Sequence, residues 1–140
     1  MSTIFRRTSV QRGAAVGAAA VGALVLWAGT GGDPVVQAAD GGEQHVGAAA
    51  VVITAVVAGL AGWALLAVLE RTTRHAYAIW ATVATLVFGL SLIPMAGAAV
   101  GASSLGALLG LHVVVYVLLT IAFGKTAQSV SAAHRVKPVV

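Results

Sequence analysis

The feature that most constrains this chain is an uncharged stretch of 49 residues, 76–124, which contains no Asp, Glu, Lys or Arg. As a single helix it would be about 73 Å long, whereas the hydrocarbon core of a bilayer is about 30 Å thick. The stretch must therefore fold back on itself. We place the turn at residues 94–104, PMAGAAVGASS, where a proline, glycines and two adjacent serines interrupt the larger apolar side chains.

The whole chain is poor in charge. Of its 140 residues, 59% are hydrophobic and 9% are charged, whereas soluble domains carry roughly 25% charged residues. So few charges cannot cover a surface that faces water, so lipid must be the main solvent. Backbone polar groups must then be satisfied inside helices or a closed barrel. A barrel needs alternating strands of about ten residues, and the apolar runs here are instead continuous and rich in Ala, Leu and Val.

Four uncharged stretches are long enough to cross a bilayer as helices, which takes about 20 residues. We predict spans at residues 13–30, 46–69, 76–94 and 105–124. The predicted fold is all-α: a single domain over residues 1–140, forming an integral membrane four-helix bundle with up-down-up-down topology. The first span consists mostly of Ala, Gly and Thr, so its insertion is expected to depend on its basic flank and its neighbours.

The basic residues predict the orientation of the bundle. All eight lie before the first span, between the second and third, or after the fourth: Arg6, Arg7, Arg12, Arg71, Arg74, Lys125, Arg135 and Lys137. The loop at residues 30–45 holds Asp33, Asp40 and Glu43 and no basic residue. The positive-inside rule then places both termini in the cytoplasm, as a multi-pass protein of the plasma membrane. The sequence pI near 10.4 follows from this topology. Nucleic-acid binding would need the basic residues on one face, and no nucleic-acid partner is expected.

The basic cluster FRRTSV at residues 5–10 leaves open whether the first span is retained. It matches a twin-arginine export signal poorly, because Ser9 stands where that signal prefers an apolar residue. An ordinary signal peptide, cleaved near VQAAD at residues 36–40, is the alternative. The uncharged run after Arg12 extends about 20 residues, longer than a typical signal core of about 7 to 15, which favours a retained anchor. Cleavage would leave three spans with their orientation unchanged.

Small residues are expected to hold the spans together, because helix association in lipid depends on close backbone approach and a few polar contacts. Such residues recur at helical spacing on every span: Gly13 and Gly17, Ala18 and Gly22, Ala55 and Gly59, Ala58 and Gly62, Thr82, Thr85 and Gly89, and Gly106 and Gly110. This pattern predicts a tight bundle. A stripe of small residues that contacts no helix of the same chain is free to contact a second copy of the chain or another membrane protein.

His112 is the candidate intramembrane polar site. It lies well inside the fourth span, where an ionisable residue is a functional hypothesis by default. Tyr116, four residues on, shares its helix face, so the pair is placed to line a polar pocket or a proton path. The alternative is a packing role, in which neutral His112 hydrogen-bonds to a carbonyl or hydroxyl on a facing helix. No intramembrane carboxylate is present to partner a proton relay.

Glu70 ends the second span in the segment LERTTRH. If the helix continues, Arg74 lies at i+4 and forms a charge pair with it, an arrangement that stabilises helices by a few tenths of a kcal/mol. We predict an interface charge pair, with a cytoplasmic gate as the functional alternative.

No metal site, cofactor site or catalytic site is predicted, and we expect that the chain is not an enzyme. The four histidines are divided by the topology, so that no three converge as a zinc site requires: His45 outside, His112 within the bilayer, and His75 and His134 inside. The segment FGKTAQS ends like a phosphate-binding loop. The full pattern needs a glycine five positions before Gly124, where Leu119 stands in an apolar helix.

The four-span layout, the segment GLAGWALLAVLER at residues 59–71 and the histidine in LHVVVYVL at residues 111–118 resemble an actinobacterial family of small membrane proteins. The family is catalogued as domain of unknown function 6069, and the resemblance covers residues 6–126. It implies a four-helix integral membrane protein with no assigned activity, and it carries over no catalytic residues.

From these observations we expect a protein that lies in the lipid bilayer and acts as a structural, accessory or interaction subunit, without catalysis of its own. The alternative is a small oligomeric transporter or channel subunit that uses His112 as its intramembrane polar site. The chain is similar to small multidrug exporters in length and span number. Those proteins rely on a membrane-embedded carboxylate, which this sequence lacks.

Overall fold

A computed structural model describes residues 2–135, and the surroundings of side chains over residues 6–128. Within this range the chain forms four helices, α1 (Ser2–Gly29), α2 (Ala48–Thr72), α3 (Ala76–Ala98) and α4 (Gly101–Arg135). All four are long and apolar enough to cross a membrane. The predicted all-α class with four membrane helices is therefore confirmed, whereas the orientation of the bundle and the side on which its termini lie stay predictions. Lys137, which entered that prediction, lies outside the described residues.

The uncharged stretch folds back inside the predicted turn region, but the turn is much shorter than expected. Helix α3 continues through Pro94 to Ala98, and α4 begins at Gly101, whose φ of +83° is in the region that favours glycine. A proline removes one backbone hydrogen bond from a helix, which membrane helices tolerate where neighbouring groups compensate. Only Ala99 and Val100 separate the two helices, so α3 and α4 form a tight helical hairpin.

The first loop contains a β-hairpin that the sequence pattern does not predict. Strand β1 (Val35–Gln37) pairs with strand β2 (Glu43–His45) in antiparallel register, with Val35 opposite His45. Three-residue strands are too short to show the alternation that identifies a strand in a sequence. The all-α bundle therefore carries a small sheet at one end.

Hydrogen bonds fasten this hairpin across the end of the bundle. The backbone N–H of Val100, in the turn between α3 and α4, donates to Val35 O at 3.0 Å, and Val35 N–H donates to Ser104 Oγ at 3.1 Å. Trp27 Nε1, near the end of α1, donates to Val46 O at 2.7 Å. The hairpin thus connects α1 to the α3–α4 turn, and we call this end of the molecule the hairpin end.

The four helices are arranged in a ring, in which α1 and α3 each pack against both α2 and α4. The diagonal pair α2 and α4 makes few contacts. Helix α1 is the least apolar of the four spans and also the most buried inside the bundle. The small side chains of α1 gain little from contact with lipid. Burial explains how such a span is held in place, because more of its surface contacts the other helices.

Three of the glycines in the predicted small-residue pattern mark close helix contacts. A Cβ added at Gly59 would lie 2.8 Å from Val16 Cγ1, and one at Gly110 would lie 2.9 Å from Leu26 Cδ2. Gly22 is equally close to Leu118. By contrast, positions facing open space have no described heavy atom within 4 Å of an added Cβ: Gly13, Gly17, Gly89 and Gly106.

Candidate functional site

A cavity of about 560 Å³ lies between α2, α3 and α4. It exists because α2 and α4 hardly touch and because α2 contributes mainly small side chains to its wall. These are Ala50, Thr54, Ala55, Ala58, Ala61 and Gly62. The rest of the lining is mostly aliphatic and aromatic, and no lining residue in the described part of the chain is Asp, Glu, Lys or Arg.

The two predicted small-residue stripes of α2 both reach the cavity. Gly59 meets Val16 of α1 and closes a helix contact, whereas Ala55 of the same stripe lines the cavity. Ala58 and Gly62 also line the cavity, and a Cβ added at Gly62 would lie 3.5 Å from Phe123. Small residues expected to bring helices together therefore form both helix contacts and cavity wall on α2.

Aromatic side chains occupy the end of the cavity away from the hairpin. Trp80 Nε1 donates a hydrogen bond to Gly62 O at 2.8 Å, and its ring meets Phe123 edge to face with 5.3 Å between the ring centroids. Tyr77 stacks on Trp80 at 5.9 Å. Because Trp80 also lines the cavity, we call this end the Trp80 end.

His112 lines the cavity from α4, and one of its ring nitrogens is already occupied. Nδ1 lies 2.9 Å from Leu108 O. A carbonyl oxygen only accepts, so the hydrogen-bond network assigns the proton to Nδ1, and Nε2 of the neutral ring is then an acceptor. The packing hypothesis predicted a bond to a facing helix, whereas Leu108 lies one turn earlier on the same helix.

Nε2 of His112 has no hydrogen-bond partner among the described residues. Every fully buried side-chain nitrogen or oxygen in that part of the chain does have one. Nε2 is therefore not fully enclosed by protein atoms. An accessible acceptor on a residue that lines the cavity can bind a donor that enters from outside.

Tyr116 lines the same cavity, but its hydroxyl group is committed to α3. It lies 2.8 Å from Thr85 Oγ1, and the Thr85 hydroxyl donates to Ala81 O at 2.8 Å. Tyr116 is therefore the donor in the first bond. Its ring also stacks on Phe88 at 4.6 Å. The structure thus brings His112 and Tyr116 to one cavity but leaves hydrogen-bonding capacity on His112.

Glu70 is paired with a residue that the sequence analysis did not select. Helix α2 ends at Thr72, so Arg74 lies outside it and the predicted i+4 geometry does not form. Instead Arg12 of α1 donates from Nη1 to Glu70 Oε2 at 3.0 Å and from Nη2 to Oε1 at 2.5 Å. Arg12 Nε also donates to Thr126 Oγ1 of α4 at 3.1 Å. The pair therefore joins three helices at the end opposite the hairpin.

One signal in the sequence pointed toward this pair. Glu70 is the single acidic residue among the segments that carry the eight basic residues, which favours an ion pair between Glu70 and one of those basic residues. The sequence does not say which one, because the choice depends on how α1 and α4 approach α2. Arg12 is 3% exposed, while Arg6, Arg7, Arg71 and Arg74 are exposed.

Among the described residues, no group of three or more His, Cys, Asp or Glu side chains is placed to hold a metal ion. The cavity presents a mostly apolar wall with a few polar groups, among them His112 and the hydroxyl of Thr54, which suits a ligand with an apolar body. The ion pair of Arg12 and Glu70 is a separate feature that ties the helices together.

A family model described as a family of unknown function, DUF6069, matches residues 3–129. The match confirms the resemblance carried by residues 59–71 and 111–118. Neither a curated protein nor a solved structure matches the chain.

Proposed function

Since the chain belongs to the DUF6069 family, whose function is unknown, we propose that it is a non-catalytic integral membrane protein that acts as an accessory or interaction subunit by binding a membrane-soluble ligand. The observation that carries this proposal is the cavity of about 560 Å³ between α2, α3 and α4.

The size and lining of the cavity support a small ligand. Small-molecule sites typically have volumes of about 300 to 1,000 Å³, apolar walls and a few placed polar groups. This cavity has such walls, with His112, Tyr116 and Thr54 among its polar members. A binding role also agrees with a described lining that contains no Asp, Glu, Lys or Arg.

The position of the cavity supports entry from the lipid. Its walls come from the apolar segments of three helices that are long enough to span a membrane. On α2, Thr54, Ala58 and Ala61 line it and are at the same time exposed, so the cavity opens at the side of the bundle. A ligand dissolved in the bilayer can reach it without crossing water.

Bound-ligand mass provides the test. Protein purified from its own membranes is expected to carry a bound small molecule of defined mass in native mass spectrometry. Ala58→Phe fills the cavity and should abolish that species. Val57→Phe is the matched control, because Val57 is adjacent, 60% exposed and outside the lining. A spectrum in which wild type and Ala58→Phe retain the same bound species overturns the proposal.

A small oligomeric transporter is the second candidate, and the observation that favours it is that His112 and Tyr116 line one cavity. In proteoliposomes, this candidate requires flux that His112→Ala reduces while the protein stays folded. Equal flux in the variant, or none in the wild type over a substrate screen, removes it.

A further inference from the structure

We infer that the cavity selects an uncharged amphiphile with a hydrocarbon chain and a hydrogen-bond donor, and that the donor binds Nε2 of His112. This inference rests on the proposed binding function and adds the chemical class of the ligand.

The shape of the cavity favours a chain over a helix. On α4 its lining runs from Leu108 to Thr120, which is about 18 Å at the rise of an α-helix. Spread over that length, a volume of about 560 Å³ corresponds to a free width of about 9 Å once the radius of a water molecule, about 1.4 Å, is added on each side. A partner helix with its side chains needs about 10 to 12 Å, whereas a hydrocarbon chain in van der Waals contact needs about 4 Å.

The described lining contains no Asp, Glu, Lys or Arg, which favours a ligand with an uncharged head group. Burying a charged group without a counter-charge is strongly unfavourable, and the described lining offers no carboxylate to a cation and no Lys or Arg to an anion. A hydroxyl or an amide N–H carries no such cost. Because Nδ1 of His112 is bound to Leu108 O, the ring offers an acceptor, and a neutral donor complements it.

The position of His112 predicts how the ligand lies. His112 is one turn from Leu108, about 6 Å from the hairpin end of the α4 lining, and about 12 Å from Thr120. The donor group is therefore expected near the hairpin end, with the chain extending toward Trp80. Trp80 lines the cavity and is itself hydrogen-bonded to Gly62 O, so its fluorescence reports on the chain end.

The test uses two probes that differ in the donor alone, 12-bromododecanol and 12-bromododecyl methyl ether. They are titrated into protein in lipid nanodiscs, with Trp27→Phe and Trp63→Phe introduced so that Trp80 is the reporter and bromine quenches it on contact. The alcohol is expected to quench with an apparent affinity about two- to tenfold higher than the ether, the range of one neutral hydrogen bond.

Variants at two cavity positions locate the donor site. His112→Leu should bring the alcohol to the affinity of the ether, and His112→Gln, which keeps an acceptor, should restore part of the difference. Tyr116→Phe is the matched control, because the Tyr116 hydroxyl is already paired with Thr85, and it should leave the difference unchanged.

The outcomes separate the two proposals. Saturable quenching that is equal for both probes, or a difference that persists in His112→Leu, overturns the donor inference and leaves the binding function standing. Absence of saturable quenching by either probe in folded protein, checked by circular dichroism, overturns both. If Ala58→Phe blocks quenching while Val57→Phe does not, the signal comes from the cavity.

Discussion

Arg12 and Glu70 form a bidentate ion pair between α1 and α2, although 58 residues separate them in the chain. The side chain of Arg12 is 4% exposed and that of Glu70 is 19% exposed. Two parallel N–H···O bonds are the strongest geometry available to an arginine and a carboxylate. Because Arg12 also donates to Thr126, one guanidinium connects α1 to α2 and α4.

Removing one partner of this pair should strongly destabilise the bundle. Glu70→Ala leaves Arg12 buried and uncompensated, and breaking such pairs typically costs about 3 to 5 kcal/mol. We expect a loss of about 3 kcal/mol in equilibrium unfolding in mixed micelles. Glu43→Ala, in the exposed strand β2, is the control and should change stability by less than about 0.5 kcal/mol.

A double substitution distinguishes the loss of the pair from the presence of an orphaned charge. Arg12→Met combined with Glu70→Leu should be more stable than Glu70→Ala alone, since apolar replacement of a buried pair is often neutral. A Glu70→Ala protein as stable as the wild type would contradict this account.

Gly59→Ala should destabilise the contact between α1 and α2. The new Cβ would lie 2.8 and 2.9 Å from the two methyl carbons of Val16, and a β-branched side chain has little freedom to move aside. Overpacking of this kind costs about 1 to 3 kcal/mol. Gly17→Ala, with open space around it, should be neutral or stabilising, because alanine has the higher helix propensity. Unfolding curves of the two variants that coincide would refute the predicted contact.

Ser104→Ala should loosen the hairpin end. Val35 N–H loses its acceptor in this variant, at a cost of about 1 kcal/mol. Hydrogen exchange of the amides in β1 and β2 should accelerate about fivefold, while exchange in α2 stays unchanged. Ser103→Ala tests specificity, since Ser103 is exposed. Equal protection of β1 in both variants would show that Ser104 does not hold the strand.

The orientation can be measured directly, because the chain has no cysteine and single cysteines report on their own side. Gln37→Cys in β1 and Arg74→Cys between α2 and α3 are both at exposed positions. On intact cells an impermeant maleimide should label the first and not the second, with the second labelled after permeabilisation. The reverse pattern would overturn the predicted cytoplasmic termini.

Helix α1 is expected to remain in the mature protein. It packs against α2 and α4 and supplies Arg12 to Glu70, so cleavage near Ala38 would leave that carboxylate without its partner. The intact mass of protein from native membranes should include residues 13–30. A mass reduced by the first 38 or so residues would show that α1 is a signal peptide.

The number and type of the helices follow from the sequence because they depend on the hydropathy summed over successive residues of the chain. Hydropathy over about 20 residues is enough to recognise a span, and the uncharged stretch 76–124 has no stable alternative to folding back. The exact turn does not follow in this way: Pro94 signals a helix end in water, yet α3 continues to Ala98.

The site depends on which face of each helix meets which neighbour, and the sequence by itself did not determine that. In these helices the residues facing lipid and those facing protein are both apolar, so neither polarity nor periodicity separates Gly59, which would meet Val16, from Ala58, which lines a cavity. The sequence determined that the chain forms four apolar helices long enough to cross a membrane and that His112 lies within one of them. Only the tertiary structure decided that His112 lines a cavity and that Glu70 binds Arg12, because packing in lipid is set by the shapes of facing helices, which small residues permit without specifying.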